Sequence, residues 1–460
     1  MFKEVPLETL LKNKKINQRT YDKVKIAKDY IERKYNLKTI KNTEYNTILE
    51  KINSLQVSDE EKLKILSEMR QLEAEDLRKS RKKQTIRDYE SLKIIGRGGF
   101  GEVHVCREIK TGKIVAIKKI KKDLLAQKNQ IIHVKNEQLF MSKVKSPWIV
   151  ELKASFQEGD YLYLVMEFLP GGDFMNLLIK KDKLNEDEAK FYLAEIILAV
   201  ESIHKVDCIH RDIKPDNILI DKNGHIKLSD FGLIKVSEKL YEKNTAKDVN
   251  FNQKKLTHKK MDSVVGTAYY VAPEVLIKKG YGKEIDWWSV GVIFFEMLVG
   301  YAPFCAETTQ EVCSHVIHFK DYLQVPKEIV LSKEALDLIN KMINEPVKRL
   351  GKNGADEIKV HPFFKGIDWE NIRNTMKPPF IPEIENDYDT KYFDNTFDEI
   401  EPFYPAVKTN KERKDFKYLG FTYNEENEEN KEKTLKNIEQ IVENLNAEIK
   451  KETEENEEKK

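Results

Sequence analysis

The chain is poor in cysteine: Cys106, Cys208, Cys305 and Cys313 are the only four in 460 residues, and none lies in a CxxC pattern. Neither a disulfide framework nor a cysteine zinc site is suggested, and a reducing compartment fits. Long apolar runs are missing too. The opening MFKEVPLETLLKNKK lacks the apolar core of a signal peptide, and VGVIFFEMLVG is interrupted by Glu296 and too short to span a bilayer, so no membrane segment is expected. Nor is there an excess of one charge. The formal net charge is +2, so the whole chain does not read as a nucleic-acid binder, although charged residues make up 34% and are unevenly placed.

What is present suffices for at least one sizeable core, since 40% of the residues are hydrophobic. Apolar positions recur at helical spacing from about residue 20 to 75, for example Val24, Ala27, Ile31 and then Leu63, Leu66, Met69. Arg78 to Arg87 follows with six basic residues in ten and no acid, a pattern that reads as a solvated cationic linker. From Tyr89 short apolar runs punctuated by glycine (YESLKIIGRGGFGEVHVC, KIVAIKKI, LYLVMEF) predict strands, and from Phe174 helical patterns dominate, with FYLAEIILAVESIH the clearest. The expectation is an α+β fold of two lobes, a strand-rich small lobe preceding a helix-rich large one. Beyond Phe364 come aspects of an extended strap (KPPFIP, KYFDNTF, DFKYLGFTY), and Glu425 to Lys460 carries 13 Glu against 7 Lys, which predicts a largely solvated helix.

Chemistry-bearing motifs follow one another in order. Gly96-Arg97-Gly98-Gly99-Phe100-Gly101-Glu102-Val103 fits G-x-G-x-x-G-x-V, in which glycines let backbone N–H groups approach phosphate oxygens. A strand-like segment follows rather than a helix, which argues against a dinucleotide fingerprint. Lys118 in VAIK could grip phosphates if a carboxylate held it, and Glu137, 19 residues on in a helical context, is the candidate. On the loop His210 to Asn217, Asp212 could accept a hydroxyl proton, Lys214 could neutralise a transferring phosphoryl group, and Asn217 could ligate Mg²⁺, with Asp230 of DFG as a second metal carboxylate. Ala272-Pro273-Glu274 closes the segment.

With these motifs Tyr89 to Phe364 resembles a eukaryotic protein kinase catalytic domain, and Lys214, two residues after Asp212, resembles the serine/threonine class. The resemblance implies that ATP is held by Gly96, Arg97, Gly98, Gly99, Phe100, Gly101, Val103, Ala116, Lys118 and Asp173, with Met166 as gatekeeper and Glu167 to Leu169 as hinge. It also implies a Glu274–Arg349 ion pair and an Asp286 that braces the catalytic loop. MEFLPGGD, DWWSVGVIFFEMLVGYAPF, HPFF and the aromatic run Tyr418 to Tyr423 narrow the likeness to the AGC group, where Asp173, Asp216 and Glu296 match positions that contact basic residues upstream of the acceptor.

Within that group the chain most resembles the NDR/LATS family, on IGRGGFGEV, IHRDIKPDN, KLSDFGL, the basic N-terminal region and the long insert between DFG and APE. The resemblance implies phosphosites at Ser263 and Thr422, a Mob-type coactivator on the N-terminal region and an upstream sterile-20-like kinase. It also implies protein substrates with basic residues upstream of Ser or Thr, and ATP and Mg²⁺ as cofactors; the near-neutral charge argues for no nucleic acid, and the basic cluster, a weak import signal, suits a cytoplasmic or also nuclear location. The domains are then 1–88 (regulatory), 89–364 (catalytic, insert 236–260), 365–424 (AGC tail with hydrophobic motif) and 425–460 (acidic tail). Two departures stand out: GTAYYVAPE has Ala268 and Tyr269 where proline and aspartate are usual, and Tyr418 stands where phenylalanine is usual. The alternatives are a Rho-associated or myotonic-dystrophy type kinase, which usually carries long downstream coiled coils, and a pseudokinase scaffold, which usually lacks one of the motif residues. The insert, with seven lysines against three acids in Val236 to Lys260, is either a polar loop or an autoinhibitory element.

Overall fold

A computed structural model describes residues 83–99, 101–127, 130–237, 267–393, 403–404 and 420–429, with single positions or pairs at 62–63, 66–67, 70–71, 74, 78, 240 and 418. Phe100, Ser263, almost all of the insert 236–260 and most of residues 1–82 and 430–460 lie outside the described residues, and with them the expectations made for those positions.

The small lobe is an antiparallel sheet of β1 (Tyr89–Gly98), β2 (Gly101–Glu108), β3 (Ile114–Lys121), β4 (Leu152–Glu158) and β5 (Tyr161–Glu167). Its order is β1-β2-β3-β5-β4, and a sixth strand, β8 (Tyr423–Asn424), pairs with β4 at the edge through Ser155↔Tyr423 and Ala154↔Asn424. Residues of β3 are buried on both faces because both are covered. On one face lies helix α1 (Ile131–Lys143), whose Phe140 and Met141 are buried. On the other a separate apolar cluster forms from Tyr89, Cys106, Ile117, Phe156 and Tyr163, closed by Ile86 from before the sheet and Phe403 from far beyond it.

Helices α2 (Phe174–Lys181), α3 (Glu186–His204) and α4 (Glu284–Val299) organise the large lobe. Helix α3 begins at a capping box: Asn185 accepts from the Asp187 and Glu188 amides at 3.0 Å, and Glu188 accepts from the Asn185 amide at 3.1 Å. Helix α4 is apolar nearly all round and correspondingly buried from Ile285 to Val299, ending at Gly300 with φ of 94°. Between them the hairpin of β6 (Ile218–Ile220) and β7 (Ile226–Leu228) underlies the cleft.

The two-lobe α+β expectation therefore holds, and the described positions between 62 and 78 are helical as the periodicity predicted. Two expectations are corrected. The end of the Arg78 to Arg87 cluster is no solvated linker: Ile86 is buried, its amide donates to Glu158 at 3.0 Å, and Thr85 and Asp88 cap each other. At the head of the acidic tail, Glu425 is not solvated either. It is 7% exposed and pairs with Lys145 and, at 2.9 Å, Lys153, because the adjacent strand β8 carries it onto the small lobe.

Candidate active site

The glycine-rich motif is the β1–β2 hairpin, with Gly96↔Val103, Arg97↔Glu102 and Gly98↔Gly101 opposed. A Cβ on Gly101 would lie 1.8 Å from the Lys119 carbonyl oxygen, so close approach to β3 requires glycine. Gly98 differs: a Cβ there would meet nothing within 4 Å among the described residues, so none of them demands its absence. Something that approaches from outside is a better reason for it.

Lys118, on β3, stands between two carboxylates, with Nζ 2.8 Å from Glu137 Oε1 on α1 and 3.0 Å from Asp230 Oδ1. Burial disfavours its charge, but Asp230 and Glu137 outweigh burial and push its pKa above the ordinary value. The Lys118 ammonium in turn holds the Asp230 carboxyl below the usual range. Phe231 secures Asp230 from behind, packed against Phe140 at 4.7 Å and His210 at 5.2 Å, and His133 Nδ1 meets the Gly232 carbonyl at 2.9 Å. Asp230 has φ of 52° and Arg211 has φ of 71°, left-handed values that cost non-glycine residues energy and persist here under dense constraint.

That constraint on the catalytic loop comes from Asp286 of α4, which is 1% exposed and accepts from the amides of His210 (3.0 Å) and Arg211 (2.9 Å) and from His204 Nε2 (2.8 Å). Burial opposes its ionisation, and the His204 hydrogen bond with its neighbours reverses this, so its pKa falls below the ordinary value. On the loop so held, Asn217 Nδ2 donates to the Asp212 carbonyl at 2.8 Å and to Asp212 Oδ2 at 3.1 Å, while Lys214 Nζ lies 3.3 Å from the same oxygen. Asp212 is thereby fixed as an acceptor with its lysine alongside.

Around this centre the other expected residues divide. Ala116 pairs with Met166 across β3 and β5, and Leu169 is buried at the hinge. Glu167 turns its carboxylate to Lys227 at 2.6 Å and to the Glu151 amide at 2.8 Å. Asp173 caps α2 by accepting from the Asn176 amide at 2.8 Å, a structural task beyond the one expected of it. Glu296 accepts from Tyr270 Oη at 2.7 Å, and burial pushes its carboxyl up to about 7, with nearby Asp216 adding to the rise. The Glu274–Arg349 pair is bidentate at 2.6 and 3.0 Å and buried.

At the back of the sheet Tyr418 and Phe421 are buried at 1% and 2% exposure, with Ser155 donating to the Phe421 carbonyl at 2.6 Å; Thr422 between them and β8 stays exposed. Sequence reasoning did not find β8, nor Phe393, which stacks on hinge residue Phe168 at 5.8 Å, nor Phe403. Two-residue strands and single aromatics carry no periodicity by which they could be read.

A cation could be held here by Asp230 and Asn217, whose amide nitrogen is spent on Asp212 and whose oxygen is left. Among the described residues no cluster of three His, Cys, Asp or Glu side chains could hold a metal ion alone. Hard cations that keep few protein ligands complete their shell with phosphate oxygens and water, so the pair fits a cation brought with a nucleotide.

A lysine clamped by a helix carboxylate, a loop aspartate with its lysine and asparagine, and a second aspartate under a glycine hairpin define a phosphotransfer site. The comparisons agree. Residues 89–364 match the protein kinase domain family. The serine/threonine-protein kinase CBK1 of Pneumocystis carinii is 43% identical over 402 residues, covering 80% of this chain and 79% of that protein. The probable serine/threonine-protein kinase ndrB of Dictyostelium discoideum is 42% identical over 412 residues, covering 81% and 76%. CBK1 of Saccharomyces cerevisiae is 40% identical over 428 residues, covering 80% of this chain and 56% of that longer protein. The chain belongs to the NDR/LATS family of AGC serine/threonine protein kinases. It is an enzyme of that class, which uses ATP with a divalent cation, and both alternatives, the Rho-associated type and the inactive scaffold, give way to this family.

Proposed function

We propose that the residues assembled here divide the phosphotransfer as their geometry suggests. The observation that carries this is the position of Lys118, 2.8 Å from Glu137 and 3.0 Å from Asp230, above a loop on which Asn217 orients Asp212. Lys118 binds the α and β phosphates, and Glu137 keeps it from collapsing onto Asp230 alone. The glycine hairpin covers the phosphates with backbone N–H groups. Asp212 takes the proton of the substrate hydroxyl as its oxygen bonds to the γ phosphorus; the bond from that phosphorus to the bridging oxygen breaks, and ADP leaves. Lys214 neutralises charge on the transferring group. Mg²⁺, held by Asp230 and Asn217, supplies charge neutralisation to the phosphates.

The preferred substrates carry basic residues upstream of Ser or Thr, met by Asp216 and Glu296, with Asp173 contributing if its cap on α2 opens. Phosphorylation of Thr422 by a sterile-20-like kinase and of Ser263 raises activity, and a Mob-type coactivator engages residues 1–88; the family resemblance supports these three points. A cytoplasmic location with nuclear access through the basic cluster belongs to the same reading, and among the described residues no helix is long and apolar enough to cross a membrane. The insert 236–260 holds activity down until released. The test is a phosphotransfer assay on basic peptides with wild type, Asp212→Asn and a deletion of residues 238–255. Turnover lost in the first variant and raised basally in the second supports the reading, whereas an Asp212→Asn enzyme with full activity refutes the assigned base.

A further inference from the structure

We infer that His104 is a positioning residue that couples the C-terminal tail to the nucleotide-covering hairpin, with Phe403 as its tail-side contact. His104 lies on β2 and is 0% exposed. Residues 102 and 104 share one face of the strand, opposite Val103. Its ring meets Ser91 Oγ at 3.0 Å through Nδ1 and Glu102 Oε2 at 3.2 Å through Nε2. A carboxylate only accepts, so Nε2 carries a proton and donates it to Glu102. The other oxygen of Glu102 receives Arg97, with Nη2 at 2.9 Å and Nε at 3.3 Å, across the base of the G-x-G-x-x-G turn.

The chain of contacts does not stop at the histidine. Phe403, 3% exposed and almost 300 residues away in sequence, sets its ring 4.8 Å from the His104 ring, and its neighbour Tyr404 donates to the Tyr89 carbonyl at 2.8 Å. Phe403 also completes the apolar cluster on this face of the sheet. The tail thus presses on the imidazole, the imidazole fixes one oxygen of Glu102, and the other oxygen fixes Arg97 and the pitch of the hairpin. With Phe403 docked, the hairpin is pre-set for phosphate; with it undocked, the imidazole loses its aromatic neighbour and the Glu102 hydrogen bond is held less firmly.

The inference rests on the reading of β1–β2 as the nucleotide cover, so the experiment tests both. The full chain is titrated with a fluorescent ATP analogue and assayed for KM(ATP) and kcat. His104→Leu should raise Kd and KM(ATP) about three- to ten-fold, the net scale of one ordinary hydrogen bond, with kcat within about two-fold. His104→Gln keeps an Nε2 donor and should restore both to within about two-fold of wild type. Phe403→Ala should match His104→Leu, and the double variant should be no worse than either. If His104→Leu does not fold, Ser91→Ala, which removes the Nδ1 partner at a half-buried serine that also bonds Cys106, should still raise KM(ATP) by about two-fold. Equal effects of Leu and Gln, additive losses with Phe403→Ala, or a fall in kcat at constant KM would overturn the coupling alone. Gly98→Val separates the premise, since its side chain starts in open space: unchanged nucleotide affinity there would overturn the hairpin reading itself.

Discussion

Replacing Glu274 with glutamine should destabilise the catalytic domain by about 3–5 kcal/mol, because it strands a buried guanidinium. Arg349 is 0% and Glu274 4% exposed at the side chain. The guanidinium donates five hydrogen bonds: two to Glu274, two to the Asn344 carbonyl at 3.1 and 2.9 Å, and one to the Glu284 carbonyl at 2.9 Å. Trp288 adds its ring face at 5.1 Å. Glutamine keeps one acceptor oxygen but puts an NH₂ group against an N–H donor and removes the only anion among the partners just named. For a domain of this size roughly 2 °C of melting temperature accompanies each kcal/mol, so a fall of about 6–10 °C is expected by differential scanning fluorimetry at neutral pH. Raising salt should barely change the difference, as a buried pair is poorly screened. The double variant Glu274→Gln with Arg349→Met removes the stranded charge and should melt above Glu274→Gln alone. A fall below about 2 °C, or a double variant that loses the sum of the single effects, would refute the account of Arg349 as a charge that needs its partner.

Three further outcomes are expected. Asp212→Asn should lower kcat by about 10²- to 10⁴-fold while leaving ATP affinity near wild type, read by steady-state kinetics and nucleotide titration; a large change in affinity instead would move Asp212 from proton acceptor to nucleotide ligand. The Glu296 carboxyl, ordinarily near 4.5, ionises in the folded protein at about 7, so its protonated form is favoured by the fold and the associated stability, complete below pH 4.5, is lost as pH rises through 7. Recognition of a basic residue needs the anion, so KM for a basic peptide should fall between pH 6 and 8, and Glu296→Gln should flatten that dependence; a slope that survives the substitution points to another group. Glu425→Lys places a third cation beside Lys145 and Lys153, and hydrogen exchange at 154–158 should accelerate with lost activity even in Thr422-phosphorylated protein. Unchanged protection would mean that the Tyr418 and Phe421 anchors suffice.

Local sequence alone determined the strands from Tyr89, the helix carrying FYLAEIILAVESIH, and the order of Lys118, Glu137, Asp212, Asn217 and Asp230. These are legible because period and motif spacing are properties of a few consecutive residues. The tertiary structure decided what distant segments do to one another. Glu425 and the Arg78 to Arg87 end, both read as solvated from their charge, are pinned to the small lobe by a strand pairing and a buried isoleucine that no composition reveals. Asp173 takes up a helix cap, and His104 acquires an aromatic neighbour from Phe403. The Glu425 and Phe403 contacts join residues almost 300 positions apart and form only once the sheet exists to be covered, because their free energy comes from removing surface from water and satisfying buried polar groups.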